Sequence, residues 1–306
     1  MREDYRKTVE LLLDIAPRVF SEPTFAMKGG TAINLFVRDF PRLSVDIDVV
    51  YLPIGNEREE ALQEISEALS RVRGQINKMP DLKTTSPRNV GNEDITFNVT
   101  RGGYSVKVEV NIVFRGTIYP TRQAPLTEAA ISEFRREAHV AILDPDELYG
   151  SKLVAAMDRQ HPRDIFDVLT LFEHGGITQR MRRAFVVYVA GHNRPIGEIL
   201  TPNPQPLEKL YLSDFAGMTT KDVSLSQLEE IRTTLFRDLP ASLDNDERQF
   251  LHSLKKGEPE WARLNIENVE RLPAVQWKLL NIRKLMDKNP KKHAEQLQML
   301  KQKLAL

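Results

Sequence analysis

Apolar residues recur at helical spacing along TVELLLDIAPRVF, where Val9, Leu12, Leu13, Ala16, Val19 and Phe20 share one side, so the chain is expected to open on an amphipathic helix. Two glycines later, TAINLFVRDF predicts a second short helix starting at Thr31. LSVDIDVVYL then changes the period to two: Val45, Ile47 and Val49 point one way and Asp46 and Asp48 the other, as on a strand. EEALQEISEALSRVRG predicts a helix stopped by its glycine, and DITFNVT and YSVKVEVNIVF, joined through RGG, predict a hairpin. In its second strand Val106, Val108, Val110 and Ile112 oppose Lys107, Glu109 and Asn111.

In LDPDELYGSKLVAAMDR, Asp144 is placed as N-cap, Pro145 as the first helical residue and Glu147 as the partner that closes a capping box. PRDIFDVLTLFEHGG follows as a helix closed at Gly175, and beyond about residue 180 helical patterns dominate. The expected fold class is α+β (α/β): a mixed β-sheet flanked by helices over residues 1–175, then a mainly helical domain over 176–306.

Composition adds limits. The 306 residues carry 43 basic and 43 acidic side chains, so no global field draws the chain to polyanions, and any such contact must be local. One local asymmetry exists: Arg271 to Leu306 holds nine Lys or Arg against Asp287 and Glu295. The absence of cysteine excludes disulfides and thiolate metal sites. No apolar run reaches the roughly 20 residues of a spanning helix, and MREDYRKTVE lacks a signal peptide's apolar segment, so a cytoplasmic protein without membrane contact is expected.

The chemistry concentrates in two places. Asp46 and Asp48, two residues apart on one strand face, suit a hard dication such as Mg²⁺ or Mn²⁺ bound through oxygens and substrate phosphates, and Glu109 on a neighbouring strand is the candidate third metal ligand. The Gly29-Gly30-Thr31 turn leads into a helix N-terminus, where free N–H groups and a hydroxyl can hold a triphosphate. A strand with one solvated face would produce the same alternation, and Glu109 could simply pair with Lys107. The second place is YGSKLVAAMDRQHPRDIFDVL, where Lys152 lies in one helix and Asp164 and Asp167 share a face of the next. Dipole-favourable placement of Asp164 and a surface Lys152 are the plain alternatives there. The six histidines show no zinc spacing, and neither a P-loop, a dinucleotide fingerprint nor a G-x-S-x-G elbow occurs.

Taken together, MKGGTAINLF…RLSVDIDVVY, VKVEVNIVFRG, LYGSKLVAAMDRQHPRDIFDVL, FLHSLKKGEPEW and LPAVQWKLLNIRKL resemble the AbiEii/AbiGii toxin family of nucleotidyltransferases, within the DNA polymerase β-like superfamily. The resemblance implies a nucleotidyltransferase-type sheet domain and transfer of a nucleoside monophosphate from an NTP to an acceptor, with pyrophosphate leaving. It implies Asp46 and Asp48 as metal ligands and Lys28, Gly29, Gly30, Thr31 and Ser44 as nucleotide-binding positions. Lys152 would meet nucleotide phosphate, and Asp164 and Asp167 would form the family's [RK]-D-x-x-D motif, with Glu109 or Asp167 deprotonating the attacking hydroxyl. Thr31 departs from the superfamily's usual serine, and the gap to Asp46 is longer than common.

Some relatives modify the 3′ end of tRNA, so the expected partners are an NTP, an RNA acceptor, foremost tRNA, and a cognate antitoxin that need not touch the toxin. An antibiotic-type nucleotidyltransferase acting on a small molecule and a catalytically silent nucleotide-binding protein are the other readings. Acidic or basic side chains lining the acceptor pocket would separate the two enzymes.

Overall fold

The computed structural model describes residues 3–86 and 95–306. Asp94, the first residue of the expected hairpin, and the first two residues of the chain lie outside them. The chain packs as two compact units, Met1–Leu148 with Ala216–Asp222, and Tyr149–Phe215 with Val223–Leu306.

Unit one holds the sheet. Its strands are β1 (Phe25–Lys28), β2 (Ile47–Tyr51), β3 (Lys83–Thr85), β4 (Thr96–Arg101), β5 (Tyr104–Asn111), β6 (Arg122–Pro125) and β7 (His139–Ile142), in the order β3-β4-β5-β2-β1-β7-β6. The sheet is mixed: β2 runs parallel to β5 and antiparallel to β1, and β1 runs parallel to β7. The α/β reading of the sequence is correct. α1 (Glu3–Val19) buries Val9, Leu12, Leu13, Ala16 and Val19, the stripe its spacing predicts. α3 (Arg58–Ile76) runs through Gly74 rather than stopping there, because Ile76 is fully buried and that burial outweighs a mid-helix glycine's cost of about 1 kcal/mol. The hairpin forms as β4 and β5, closed by Gly102 and Gly103, both at positive φ. Val106, Val108 and Val110 are buried; Ile112 falls past the end of β5 and is half-buried.

Two further helices complete this unit, α2 (Gly29–Ala32), which continues as one π-helical turn over Ile33–Val37, and α4 (Glu128–Phe134). Sequence periodicity alone missed β1, β3, β6 and β7: none is longer than four residues, too short to establish a period of two.

Unit two is helical. α5 (Pro145–Asp158) begins at the proline, with Asp144 accepting the Asp146 N–H at 2.8 Å. Glu147 accepts the N–H groups of Ile118 and Tyr119 at 2.9 and 3.0 Å, so its carboxylate serves a distant loop. α6 (Pro162–Glu173) ends before Gly175 and Gly176, both at positive φ, with the Gly176 N–H returning to the Leu171 carbonyl. α7 (Gln179–Gly191), α8 (Ile196–Leu200), α9 (Glu208–Asp214), α10 (Leu225–Ala241), α11 (Asn245–Lys256), α12 (Pro273–Lys288) and α13 (Pro290–Lys303) follow. The expected division at residue 175 therefore moves to within α5. Ile165 and Phe166 of α6 pack with Leu207, Phe215, Val223 and Leu228 of the helical unit, and a boundary inside a continuous helix leaves no break in the sequence to read.

Gly150 of α5 fixes one close approach. A Cβ there would stand 2.5 Å from Ala184 Cβ and 2.8 Å from Phe185 N of α7. Gly150→Ala is therefore expected to destabilise the protein by about 1–3 kcal/mol through overpacking, despite a helix-propensity gain of about 1 kcal/mol. A thermal melt with an unchanged or raised midpoint would refute the close approach.

Candidate functional site

In unit one the glycine turn and the two aspartates are neighbours, because β1 runs antiparallel to β2 and ends where β2 begins. Across the sheet, Lys28 stands in register with Asp48, Asp48 with Glu109, and Glu109 with Thr96, placing these residues on one face. The opposite face carries Met27, Ile47, Val49, Phe97, Val108 and Val110, all buried. Asp46 sits one residue before β2, not on it, and is exposed, whereas Asp48 is half-buried. The strand is shorter than the sequence suggests because residues 42–46 turn to pack on the glycines. Arg42 bridges to Thr219 and the Leu43 N–H bonds the Met218 carbonyl at 2.8 Å.

Gly29, at φ +77°, has the Asp48 carboxylate where a side chain would be: a Cβ there would collide with Oδ2 and lie 3.0 Å from Cγ. Gly30 has Arg42 Nη2 2.7 Å and Ser44 Oγ 3.2 Å from its own would-be Cβ. Thr31 is buried and donates to the Asp46 carbonyl oxygen at 2.5 Å, with Ser44 Oγ 2.9 Å away. Its hydroxyl thus clasps the aspartate-bearing segment, a different task from the phosphate contact expected of it. Arg42, buried against Gly30 and donating to the Leu43 carbonyl at 2.9 Å, belongs to this arrangement and was missed; its only signal was an arginine two residues before Ser44.

Glu109 pairs with Lys107 on the same strand, both about half exposed. Among the described residues no group of three or more His, Cys, Asp or Glu side chains is gathered as a ready-made metal site. The register opposes the backbones of Asp48 and Glu109, but the Glu109 side chain follows the nearer cation. The Asp46–Asp48 pair still has hard oxygen donors, access to solvent and a side-chain-free turn beside it, which fits a divalent ion completed by phosphate oxygens.

The second constellation lies in unit two. Lys152 Nζ is 2.7 Å from Asp164 Oδ1 and 2.9 Å from Asp167 Oδ2, with exposures of 5%, 3% and 0% for the three side chains. Arg159, largely exposed, closes on Asp164 at 2.5 Å. Burial alone would raise the Asp164 pKa, but Lys152 and Arg159 outweigh it and hold the carboxyl well below the usual carboxylate range. His161 caps α6 by accepting the Arg163 N–H, and burial pushes its pKa down. The three residues picked from sequence spacing do converge, as a buried ion cluster and not as a surface lysine beside a capping aspartate.

Lys152→Met leaves Asp167 buried without its cation and is expected to cost about 3–5 kcal/mol in denaturant unfolding; a loss below about 1 kcal/mol would mean the cluster is not closed. In unit one, Gly29→Ala should cost more than Gly102→Ala. Both incur left-handed strain of about 1–2 kcal/mol, but only Gly29 has atoms where the methyl would go. Equal unfolding midpoints for these two variants would sink the close packing of Gly29 on Asp48.

Comparison with known proteins places the chain. Its fold is similar to that of MenT4, nucleotidyltransferase toxin Rv2826c from Mycobacterium tuberculosis H37Rv, at TM-score 0.60 and 18% identity, covering 92% of this chain and 95% of that one. No curated protein matches the chain. The family described as nucleotidyl transferase AbiEii toxin, type IV toxin–antitoxin system, matches residues 10–281. With its sheet, glycine turn and paired aspartates all inside that span, the chain belongs to the AbiEii family of nucleotidyltransferase toxins.

Proposed function

We propose that this toxin transfers a nucleoside monophosphate from an NTP to an RNA acceptor, foremost the 3′ end of tRNA, and so blocks growth in the cytoplasm until a cognate antitoxin counters it. The observation that carries this reading is the contact of the side-chain-free Gly29–Gly30 turn with Asp48 and Arg42. Backbone N–H groups at a helix start, the Asp48 carboxylate and a cation meet there, with Asp46 two residues before Asp48, a set that suits a metal-bound triphosphate. No helix of the described residues is long and apolar enough to cross a membrane.

Asp46 and Asp48 are assigned to a divalent ion, Mg²⁺ or Mn²⁺, which when bound neutralises triphosphate charge and favours in-line displacement. Lys28, in register with Asp48, is assigned to phosphate with the Gly29 and Gly30 backbone. Ser44 and Thr31 hold the carboxylate-bearing segment in place. In the reaction an acceptor hydroxyl oxygen bonds to the α-phosphorus, the α–β phosphoanhydride bond breaks and pyrophosphate leaves. Of the two candidate bases for the hydroxyl proton, Glu109 is the better placed. It is about half exposed and in register with Asp48, whereas Asp167 is sealed against Lys152. Lys152, its charge already engaged by Asp164 and Asp167, first orders its own helices; contact with a phosphate would require releasing one of those carboxylates.

Asp48→Asn keeps the shape and removes the charge. With Mg²⁺, total tRNA and each labelled NTP in turn, the wild type is expected to label tRNA, and this variant to label it at least roughly a hundredfold less with an unchanged unfolding midpoint. A folded Asp48→Asn protein with full activity would overturn the metal assignment, and wild-type protein that labels no RNA would overturn the acceptor.

A further inference from the structure

The outward face of α12 combines an exposed aromatic ring with uncompensated positive charge. Trp277 is 57% exposed and Leu280 43% exposed, and Lys284 Nζ lies 5.7 Å from the centroid of the Trp277 ring. Residues 277, 280, 284 and 288 recur at i, i+3, i+7 and i+11, so Lys288 continues the same face. The inward face is fixed: Ala274, Val275 and Ile282 are buried, and the Lys278 ammonium, also buried, donates to the carbonyls of His192 and Arg194 at 2.8 and 2.6 Å. The orientation of Trp277 is therefore set by anchors on both sides of it.

Several cations of the helical unit are neutralised, as Arg194 is by Asp158 and Glu198, Arg237 by Asp238, and Arg263 by Asp246 and Glu260. Among the described residues none of Lys284, Lys288, Lys291 and Lys292 is in an ion pair, although Asp287 stands within one turn of the first two. An exposed indole with the Lys284 ammonium beside it and Lys288 one turn further along the helix fits a base stacked on the ring with phosphates on the lysines, a combination that suits unpaired RNA.

We propose that α12 binds a single-stranded segment of RNA, with Trp277 stacking on a base and Lys284 and Lys288 holding adjacent phosphates. This rests on the RNA-acceptor reading above and adds a docking surface to it.

The test measures binding of a fluorescein-labelled unstructured RNA of about 12 nucleotides to the full chain over a salt series, without NTP or metal. Trp277→Ala is expected to weaken binding roughly tenfold and Trp277→Phe less, since phenylalanine still offers a ring. Lys284→Gln with Lys288→Gln should lower the slope of log affinity against log salt by about 1.4, or about 0.7 per phosphate released. Wild-type affinity and slope in all variants, no binding by the wild type at low salt, or self-association through Trp277 with RNA binding unaffected would each overturn the proposal. Labelling of tRNA, run in parallel, separates the two readings. Transfer by the wild type with variants binding normally removes this surface and leaves the reaction. Variant-sensitive binding without transfer keeps the surface and removes the acceptor assignment.

Discussion

The approach of the Gly29–Gly30 turn to the start of β2 is the constraint on which the candidate site of the sheet unit depends. Two side chains are missing at the one place where the backbone meets a carboxylate and a guanidinium, and Gly29 adopts a φ that L-residues rarely take. The antiparallel pairing of β1 with β2 brings the turn there, and the Thr31 hydroxyl fastens the Asp46 carbonyl from below. The glycine backbone, the Asp48 carboxylate and the Arg42 guanidinium are thereby held against one another.

The helical unit handles charge in the opposite way. Lys152, Asp164 and Asp167 are withdrawn from solvent and satisfied by one another, with Arg159 closing the outer side. A buried cluster of this kind adds little net stability, yet losing one member is costly, because the remaining charges cannot recover their hydration. It fixes how α5 and α6 sit together. Residues that read in sequence as a phosphate-binding lysine and a motif aspartate thus have an organising role that their spacing does not show.

Pairing, more than composition, determines the local field of this net-neutral chain. Several arginines of the helical unit are ion-paired, whereas among the described residues the lysines around the α12–α13 junction are not. At physiological ionic strength the field of such a patch extends about 8 Å, so it acts on what touches it and not on the whole molecule.

Sequence by itself determined the elements with a sustained period or clear end signals: α1, the β4–β5 hairpin, β2, and the helices α5 and α6. It also picked out both groups of reactive residues and, through the set of motifs, the family, since each is a pattern over neighbours in the chain. Only the tertiary structure decided what depends on distance in space. It shortened β2 so that Asp46 stands off the strand, turned Glu109 to Lys107, buried Lys152 between two carboxylates and placed Arg42 on Gly30. It also divided the compact units within the first turns of α5, where a continuous helix leaves no mark in the sequence. A side chain's partners come from strand order and helix packing, and neither is written in the spacing of residues along the chain.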